Sequence, residues 1–384
     1  MSLSYCLKVP STIYSGADSL NRISEVLKKE NAKRVAVFSD KGIEKTGLLE
    51  KPLALVREAC EDVLLLTDLP AEPSYAQAQA LVDECNSWGA DFIIAIGGGS
   101  VMDTAKLSSI LVRSDYSIKA LLDNPTLARK AVKTLMIPTT AGTGAEATPN
   151  AIVLVPEKEL KVGIVNSEMI ADYVILDAVM IRNLPRKIAS STGLDALAHA
   201  IECYTSNKAN PFSDLFALEA LDLILNNIEK ACDDRNALEE KNRMLLASFY
   251  AGIAITASGT TAVHALSYPL GGKYHIPHGV SNAMLLLPVM RFNEDAIRTR
   301  LACAYDRCIG GSAATDVEKS SALLQRLGEI VSHLDIPRTL EAYNVSRKDL
   351  EALVDAGLEV KRLLNNNMKV VTREDARMIY QQIL

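Results

Sequence analysis

Four of the chain's five histidines fall between residues 199 and 278, and their spacing has the pattern of a metal site. In SSTGLDALAHAIECY, Asp195 and His199 stand one helical turn apart on a strongly helical segment, so both side chains leave the same face. Further on, HALSYPLGGKYHIPHG supplies His264 and His278, with Gly271, Gly272 and Gly279 expected to bend that segment back towards the first face. Three neutral imidazoles and one carboxylate would leave a divalent ion with net positive charge and an open coordination position, which is the arrangement of a catalytic metal rather than a structural one. The set offers N and O donors without a thiolate, so Fe(II), Zn(II), Co(II), Mn(II) and Ni(II) suit it about equally. Each half alone has an ordinary explanation, because Asp-x3-His is also the spacing of a helix-surface ion pair and a lone histidine is usually structural.

A second kind of chemistry is written in two glycine-rich segments. FIIAIGGGSVMDTAK, residues 92–106, passes from an apolar strand through Gly97, Gly98 and Gly99 into a helix capped by Ser100 or started near it. Glycines let backbone N–H groups approach a phosphate, and the helix N terminus adds partial positive charge. IPTTAGTGAE, residues 137–146, also follows a strand and offers the hydroxyls of Thr139, Thr140 and Thr143. One such loop is only a turn, whereas two leaving the strand ends of one sheet favour a nucleotide. In VAVFSD, Asp40 ends the first clear strand of the alternating region, where a carboxylate would accept hydrogen bonds from ribose hydroxyls and repel a 2′-phosphate, favouring NAD over NADP. Equally, it would serve as a cap before Lys41-Gly42. Asp40 precedes the glycine loop, whereas the familiar GxGxxG fingerprint has its acid about 20 residues after, so this is not the usual Rossmann arrangement.

The elements that must position these groups fall into two regions. From Arg34 to about Asp177 short β-branched runs alternate with helical patterns, the signature of a mainly parallel sheet covered by helices. Strands are expected at 35–38, 63–66, 92–96, 135–137, 152–155 and 174–176, and Ala78, Leu81, Val82 and Cys85 form one stripe of an intervening helix. Beyond Asp177 helical stripes follow one another, such as Leu218, Leu221, Leu225 and Ile228, or Leu324, Leu327, Val331 and Leu334. The expected division is an α/β dinucleotide-binding domain over 1–180 and an all-α metal-binding and substrate domain over 181–384, packed closely with a cleft between them. A net charge of -6 offers no attraction to nucleic acid or anionic lipid, and no apolar run reaches the roughly 18 residues of a membrane span. Seven cysteines, an odd number without a CxxC pair, together with a start that does not read as a signal peptide, favour a cytoplasmic protein.

Taken in order, GGGSVMDTAK, PTTAGTGAE, STGLDALAHAIECY and HALSYPLGGKYHIPHG resemble the motifs of the iron-containing, or group III, alcohol dehydrogenases, and the resemblance runs through nearly the whole chain. It implies a Rossmann-like N-terminal domain and a helical C-terminal domain in the dehydroquinate synthase-like architecture. It places Asp195, His199, His264 and His278 as the ligands of one divalent metal, Fe(II) or Zn(II), Asp40 at the ribose of NAD, and Gly97, Gly98, Gly99 and Ser100 at its pyrophosphate. Asp103, Thr139, Thr140, Thr143 and Lys161 are the remaining cofactor candidates, and a homo-oligomer of two or more chains is implied. Three departures stand out. Tyr268 occupies the position four after the third ligand where many members carry a histidine, Ala145 replaces the serine of GTGSE, and NNNMKVVTRED only loosely matches the family's usual ending.

The expected reaction is reversible hydride transfer between an alcohol carbon and C4 of nicotinamide, with the metal as Lewis acid. The hydroxyl proton would leave through ribose hydroxyls, His275, Tyr268 or water, and Lys273 is a candidate contact for an anionic substrate. Two other functions compete with this one: a lyase of the dehydroquinate-synthase type, for which no cluster of Lys and Arg surrounds the expected ligands, and a catalytically silent NAD-binding module.

Overall fold

A computed structural model of the chain describes residues 4–158 and 160–384. Its contacts divide the chain into two units. The first comprises Lys8–Thr140 and Gly144–Asn183, and the second Leu184–Leu384 together with Ala141–Thr143 and residues 4–7. The short segment Ala141–Thr143 therefore departs from the continuous 1–180 domain expected from sequence, because it packs on the helix Arg186–Tyr204. A Cβ on Gly142 would sit 2.7 Å from the backbone oxygen of Thr192.

The first unit is built on a parallel sheet of β1 (Thr12–Ser15), β2 (Arg34–Phe38), β3 (Asp62–Leu66), β4 (Phe92–Gly97), β5 (Lys133–Pro138) and β8 (Tyr173–Leu176), in the order β1-β8-β5-β4-β2-β3. The central strand β4, FIIAIG, is buried at every position, as a strand covered on both faces requires. The helix Tyr75–Trp88 opens with a reciprocal cap between Ser74 and Gln77 and buries Ala78, Leu81, Val82 and Cys85, the stripe expected from its spacing. Two strands escaped the sequence reading, β1 and β7 (Leu160–Val165), and one was misplaced. β6 (Asn150–Val155) pairs antiparallel with β7 in a separate two-stranded sheet. Its burial alternates along the strand, the mark of a hairpin covered on one face, but its residues Ala-Ile-Val-Leu-Val are uniformly apolar and hide that alternation from the sequence.

The second unit is helical. Its long members are Arg186–Tyr204, Pro211–Asp233, Leu238–Ala257, Ala262–Tyr274, His278–Cys308 and Asp316–His333. Leu221, Leu225 and Ile228 are buried on the second of these, and Leu324 and Leu327 on the last. The helices Arg186–Tyr204 and His278–Cys308 cross with almost no space between their backbones, since a Cβ on Gly279 would lie 2.0 Å from the carbonyl oxygen of Ser191. Only glycine permits that approach. Among the described residues no single helix is long and apolar enough to cross a membrane.

Candidate metal centre and nucleotide loops

Within the helical unit, Asp195, His199, His264 and His278 come together, with one donor atom from each lying within 4.8 Å of the others. Asp195 and His199 project from one face of Arg186–Tyr204. His264 lies on the first turn of Ala262–Tyr274, and His278 is the first residue of His278–Cys308. The oxygen Oδ1 of Asp195 lies 4.0, 3.7 and 3.6 Å from the Nε2 atoms of His199, His264 and His278. The rings of His199 and His264 stack at 4.5 Å. Asp195, His199 and His264 are buried, while the side chain of His278 keeps 30% of its exposure. Burial alone would raise the Asp195 carboxyl, but the surrounding imidazoles outweigh it and hold the group well below the usual carboxylate range.

The turn before His278 differs from the expected glycine bend. Gly271 and Gly272 lie inside the helix Ala262–Tyr274, and the chain reverses at residues 275–277, where His275 takes a left-handed conformation (φ 54°) ahead of Pro277. Tertiary packing overrides the roughly 1 kcal/mol that each helical glycine costs. The third glycine, Gly279, instead serves the close crossing that sets His278 beside Asp195.

Two buried residues that the sequence reading passed over complete the surroundings. Glu202 lies one turn beyond His199 on the same helix and is fully buried. Its Oε1 accepts hydrogen bonds from Thr261 N (2.9 Å), Thr261 Oγ1 (2.7 Å) and Val263 N (2.8 Å), and its Oε2 meets Nδ1 of His264. Glu202 thus receives the start of the His264 helix and orients its imidazole. Burial opposes a charge on His264, but the Glu202 and Asp195 carboxylates raise its pKa to about 9. On His199, Nδ1 lies 3.2 Å from the carbonyl of Gly142. Both rings thereby engage an acceptor through Nδ1, which leaves Nε2 as the atom that would meet a cation once it gives up its proton. Asn282 is the second such residue, with Nδ2 2.6 Å from Asp195 Oδ1, 3.1 Å from His264 Nε2 and 3.2 Å from His278 Nε2. This donor chemistry fits a divalent first-row cation: three imidazole nitrogens and a carboxylate, with two of the rings fixed from behind.

Tyr268 lies beside the cluster, its ring 6.0 Å from that of His278. His275 is exposed at the end of its helix, and among the described contacts none joins it to the four donors. Lys273 is also exposed and lies over the Tyr274 ring at 5.2 Å.

In the α/β unit the glycine loop follows β4 directly into the helix Gly99–Leu111, whose N-cap is Gly98. Ser100 does not cap that helix, as its Oγ accepts from Glu72 N instead (3.2 Å). A Cβ on Gly97 would lie 2.5 Å from that of Val101, which explains the glycine. Thr139 N donates to Gly97 O (3.0 Å) and ties the two loops together, while Thr140 stays half-buried; Thr143 belongs to the helical unit. Asp40 caps the short helix Lys41–Lys45 through Ile43 N (2.9 Å). Two cofactor candidates are engaged within the protein. Asp103 pairs with Lys106 (2.8 Å) and accepts from Ile152 N (2.9 Å), and Lys161 pairs with Glu72 (2.5 Å). Lys106 is wholly buried and also donates to Ala145 O, Thr148 Oγ1 and Asn150 O, bracing the second loop. Beside it the buried carboxyl of Glu146 is pushed by burial up to about 7.

Residues 10–178 match the family model described as iron-containing alcohol dehydrogenase, and residues 189–384 match that of the Fe-containing alcohol dehydrogenase family, C-terminal. The chain is 33% identical over 377 residues to long-chain-alcohol dehydrogenase 1 of Geobacillus thermodenitrificans, covering 97% of this chain and 95% of the relative. Its fold superposes on the crystal structure of a 1,3-propanediol oxidoreductase with a TM-score of 0.95 at 25% identity, covering both chains completely. It also matches sulfoacetaldehyde reductase from Bifidobacterium kashiwanohense in complex with NAD+, with a TM-score of 0.90 at 25% identity, covering 100% of this chain and 99% of that one.

Proposed function

Because the chain belongs to the iron-containing alcohol dehydrogenase family, we propose that it moves hydride between NAD(H) and a small alcohol or aldehyde, with Asp195, His199, His264 and His278 holding one Fe(II) or Zn(II) ion. The observation that carries the metal assignment is the convergence of those four donor atoms within 4.8 Å. A cation bound there supplies Lewis-acid polarisation of the substrate oxygen, and the nicotinamide accepts or returns the hydride. In the oxidative direction the alcohol loses its hydroxyl proton and the hydride on its carbinol carbon, yielding aldehyde, NADH and a proton.

The protein's own groups orient and hold. Glu202 and the Gly142 carbonyl keep the His264 and His199 rings turned so that Nε2 serves as donor. Tyr268, whose ring lies beside that of His278, passes the hydroxyl proton outward in this reading, and among the described contacts none joins His275 to the four donors. For the dinucleotide, Gly97, Gly98, Gly99 and Ser100 take the pyrophosphate, and Thr139, Thr140 and Thr143 contribute contacts. Asp40 takes the ribose with the carboxylate oxygen that its cap leaves over, which favours NAD over NADP. Asp103 and Lys161 act through the loops they brace. Seven free thiols suit a reducing compartment such as the cytoplasm, and a homo-oligomer is part of the same reading.

The test is a panel of small alcohols and aldehydes followed by NADH absorbance, on protein reconstituted separately with Fe(II), Zn(II) and Mn(II). Turnover that disappears on chelation and returns with metal is expected. Absence of any NADH change with every metal and substrate overturns the reading.

A further inference from the structure

The strands β2 and β4 are neighbours although the chain visits β3 between them, so the strand order reverses there, and the carboxyl ends of these two strands bound the crevice where open α/β sheets take ligands. Residues 67–74 leave the carboxyl end of β3 and reach the helix Tyr75–Trp88 without helix or strand of their own. On the way they are tied to both sides of that crevice. Thr67 Oγ1 donates to Glu44 Oε2 (3.1 Å) and Asp68 pairs with Lys41 (2.6 Å), both partners lying on the short helix after β2. The backbone N–H of Glu72 donates to Ser100 Oγ (3.2 Å) on the helix after β4, and Pro73 O accepts from Leu154 N (3.0 Å) in the β6–β7 hairpin. Pro70 and Pro73 restrict how the segment bends between these points, so it acts as a stiff strap.

Glu72 takes a left-handed backbone conformation (φ 53°), which is unfavourable for a glutamate, and its carboxylate pairs with Lys161 Nζ at 2.5 Å. The Lys161 side chain keeps only 10% of its exposure, so this pair is screened less than the Lys41–Asp68 pair, which is open to solvent and holds little. We propose that residues 67–74 gate the dinucleotide crevice, with the Glu72–Lys161 ion pair as the buckle that must part before the cofactor enters or leaves. The proposal rests on the NAD(H) reading above and goes beyond it by assigning the rate of cofactor exchange to a pair of charges within the protein. Opening frees the Glu72 backbone from its strained conformation. The closed strap therefore depends on the ion pair and gives way when that pair is screened or removed.

The experiment uses full-length, metal-loaded protein and follows NADH association and dissociation by stopped-flow fluorescence at rising NaCl. Glu72→Gln keeps the size of the side chain and the strained backbone but removes the charge. Both of its rate constants should rise about two- to fivefold, as loss of a partly exposed ion pair implies, while Kd moves less than either. Salt should quicken both steps in wild type, by screening the buckle, and should not quicken them in Glu72→Gln. Unchanged rates in Glu72→Gln overturn the proposal, as does a faster dissociation with association unaltered, which is the mark of a lost contact and not of a gate. Should Glu72→Gln fail to fold, wild type decides alone: association that quickens with NaCl supports the buckle, and association that holds or slows, as simple attraction between fixed cations and an anionic cofactor dictates, overturns it. Failure of wild type to bind NADH at all would strike the NAD(H) reading and the proposal with it, an outcome distinct from the others.

Discussion

Substituting Glu202 by Gln separates two duties that this one carboxylate performs. Its Oε1 receives Thr261 N, Thr261 Oγ1 and Val263 N, and its Oε2 meets His264 Nδ1. A glutamine keeps a carbonyl oxygen for the first three but offers an N–H where the imidazole needs an acceptor. To avoid two donors facing each other, His264 must move its proton to Nε2, the atom that faces Asp195 and the other donors. Loss of such an orienting partner typically weakens metal binding 10–100-fold, or about 1.4–2.8 kcal/mol. Removing the side chain altogether, in Glu202→Ala, leaves at least four buried donors unsatisfied at about 1–3 kcal/mol each and should unfold the unit instead. The assay is Zn(II) affinity by chelator competition, with thermal melting of the stripped protein alongside. Glu202→Gln should melt within a few degrees of wild type and yet bind Zn(II) at least about tenfold more weakly. Unchanged affinity would mean that the carboxylate only receives the helix start, and the orientation argument would be wrong.

Four further outcomes follow from the geometry. Gly279→Ala forces a Cβ to within 2.0 Å of the Ser191 carbonyl, so it should lose about 3 kcal/mol of stability and bound metal together, measured by urea unfolding and metal analysis. Lys106→Met strands the buried Asp103 carboxylate and should cost about 3–5 kcal/mol in the same unfolding experiment. Burial pushes the folded Glu146 carboxyl up to about 7 from its ordinary 4.5, so its contribution to stability is full below pH 4.5 and is lost as pH rises towards 7, a fall of about 3 kcal/mol. Glu146→Gln should therefore gain on wild type between pH 5 and pH 8 in urea midpoints. In pH–rate profiles Tyr268→Phe should shift the kcat limb, while His275→Asn, which tolerates the left-handed backbone, should leave it unchanged.

The four clustered donors were legible because histidine is scarce here and two of the donors share a helix turn. Glu202 sat within the same quoted motif, three residues past His199, but its partners Thr261 and Val263 lie about sixty residues on, and only the folded chain brings them together. Asn282 carried the same one-turn spacing from His278 that drew attention to Asp195 and His199, so an i, i+4 search that included amides would have found it. Charges read as cofactor contacts proved harder. Lys161 pairs with Glu72 and Asp103 with Lys106, and the first of these pairings is invisible along the sequence. On sequence alone Asp40 suits capping and ribose binding equally; the cap is local, set by the short helix that begins at Lys41. Among the strands, the parallel sheet followed from its apolar runs, whereas β6 was assigned to it because an apolar run does not reveal how many of its faces are covered.

The backbone contact at Gly279 makes the helix His278–Cys308 a lever. His278 and Asn282 ride its first two turns, so their distance from Asp195 is fixed by where two rods of main chain touch and not by how side chains settle. Rotamer fluctuations near the centre leave that span intact. Whatever slides the rods by a few tenths of an ångström, heat, pressure or a bulky substitution far down the 31-residue helix, acts on the whole donor set at once. Ion release should accordingly precede loss of helicity on warming, and a remote change in this helix should alter metal retention more than an equally disruptive one far along the helix Asp316–His333.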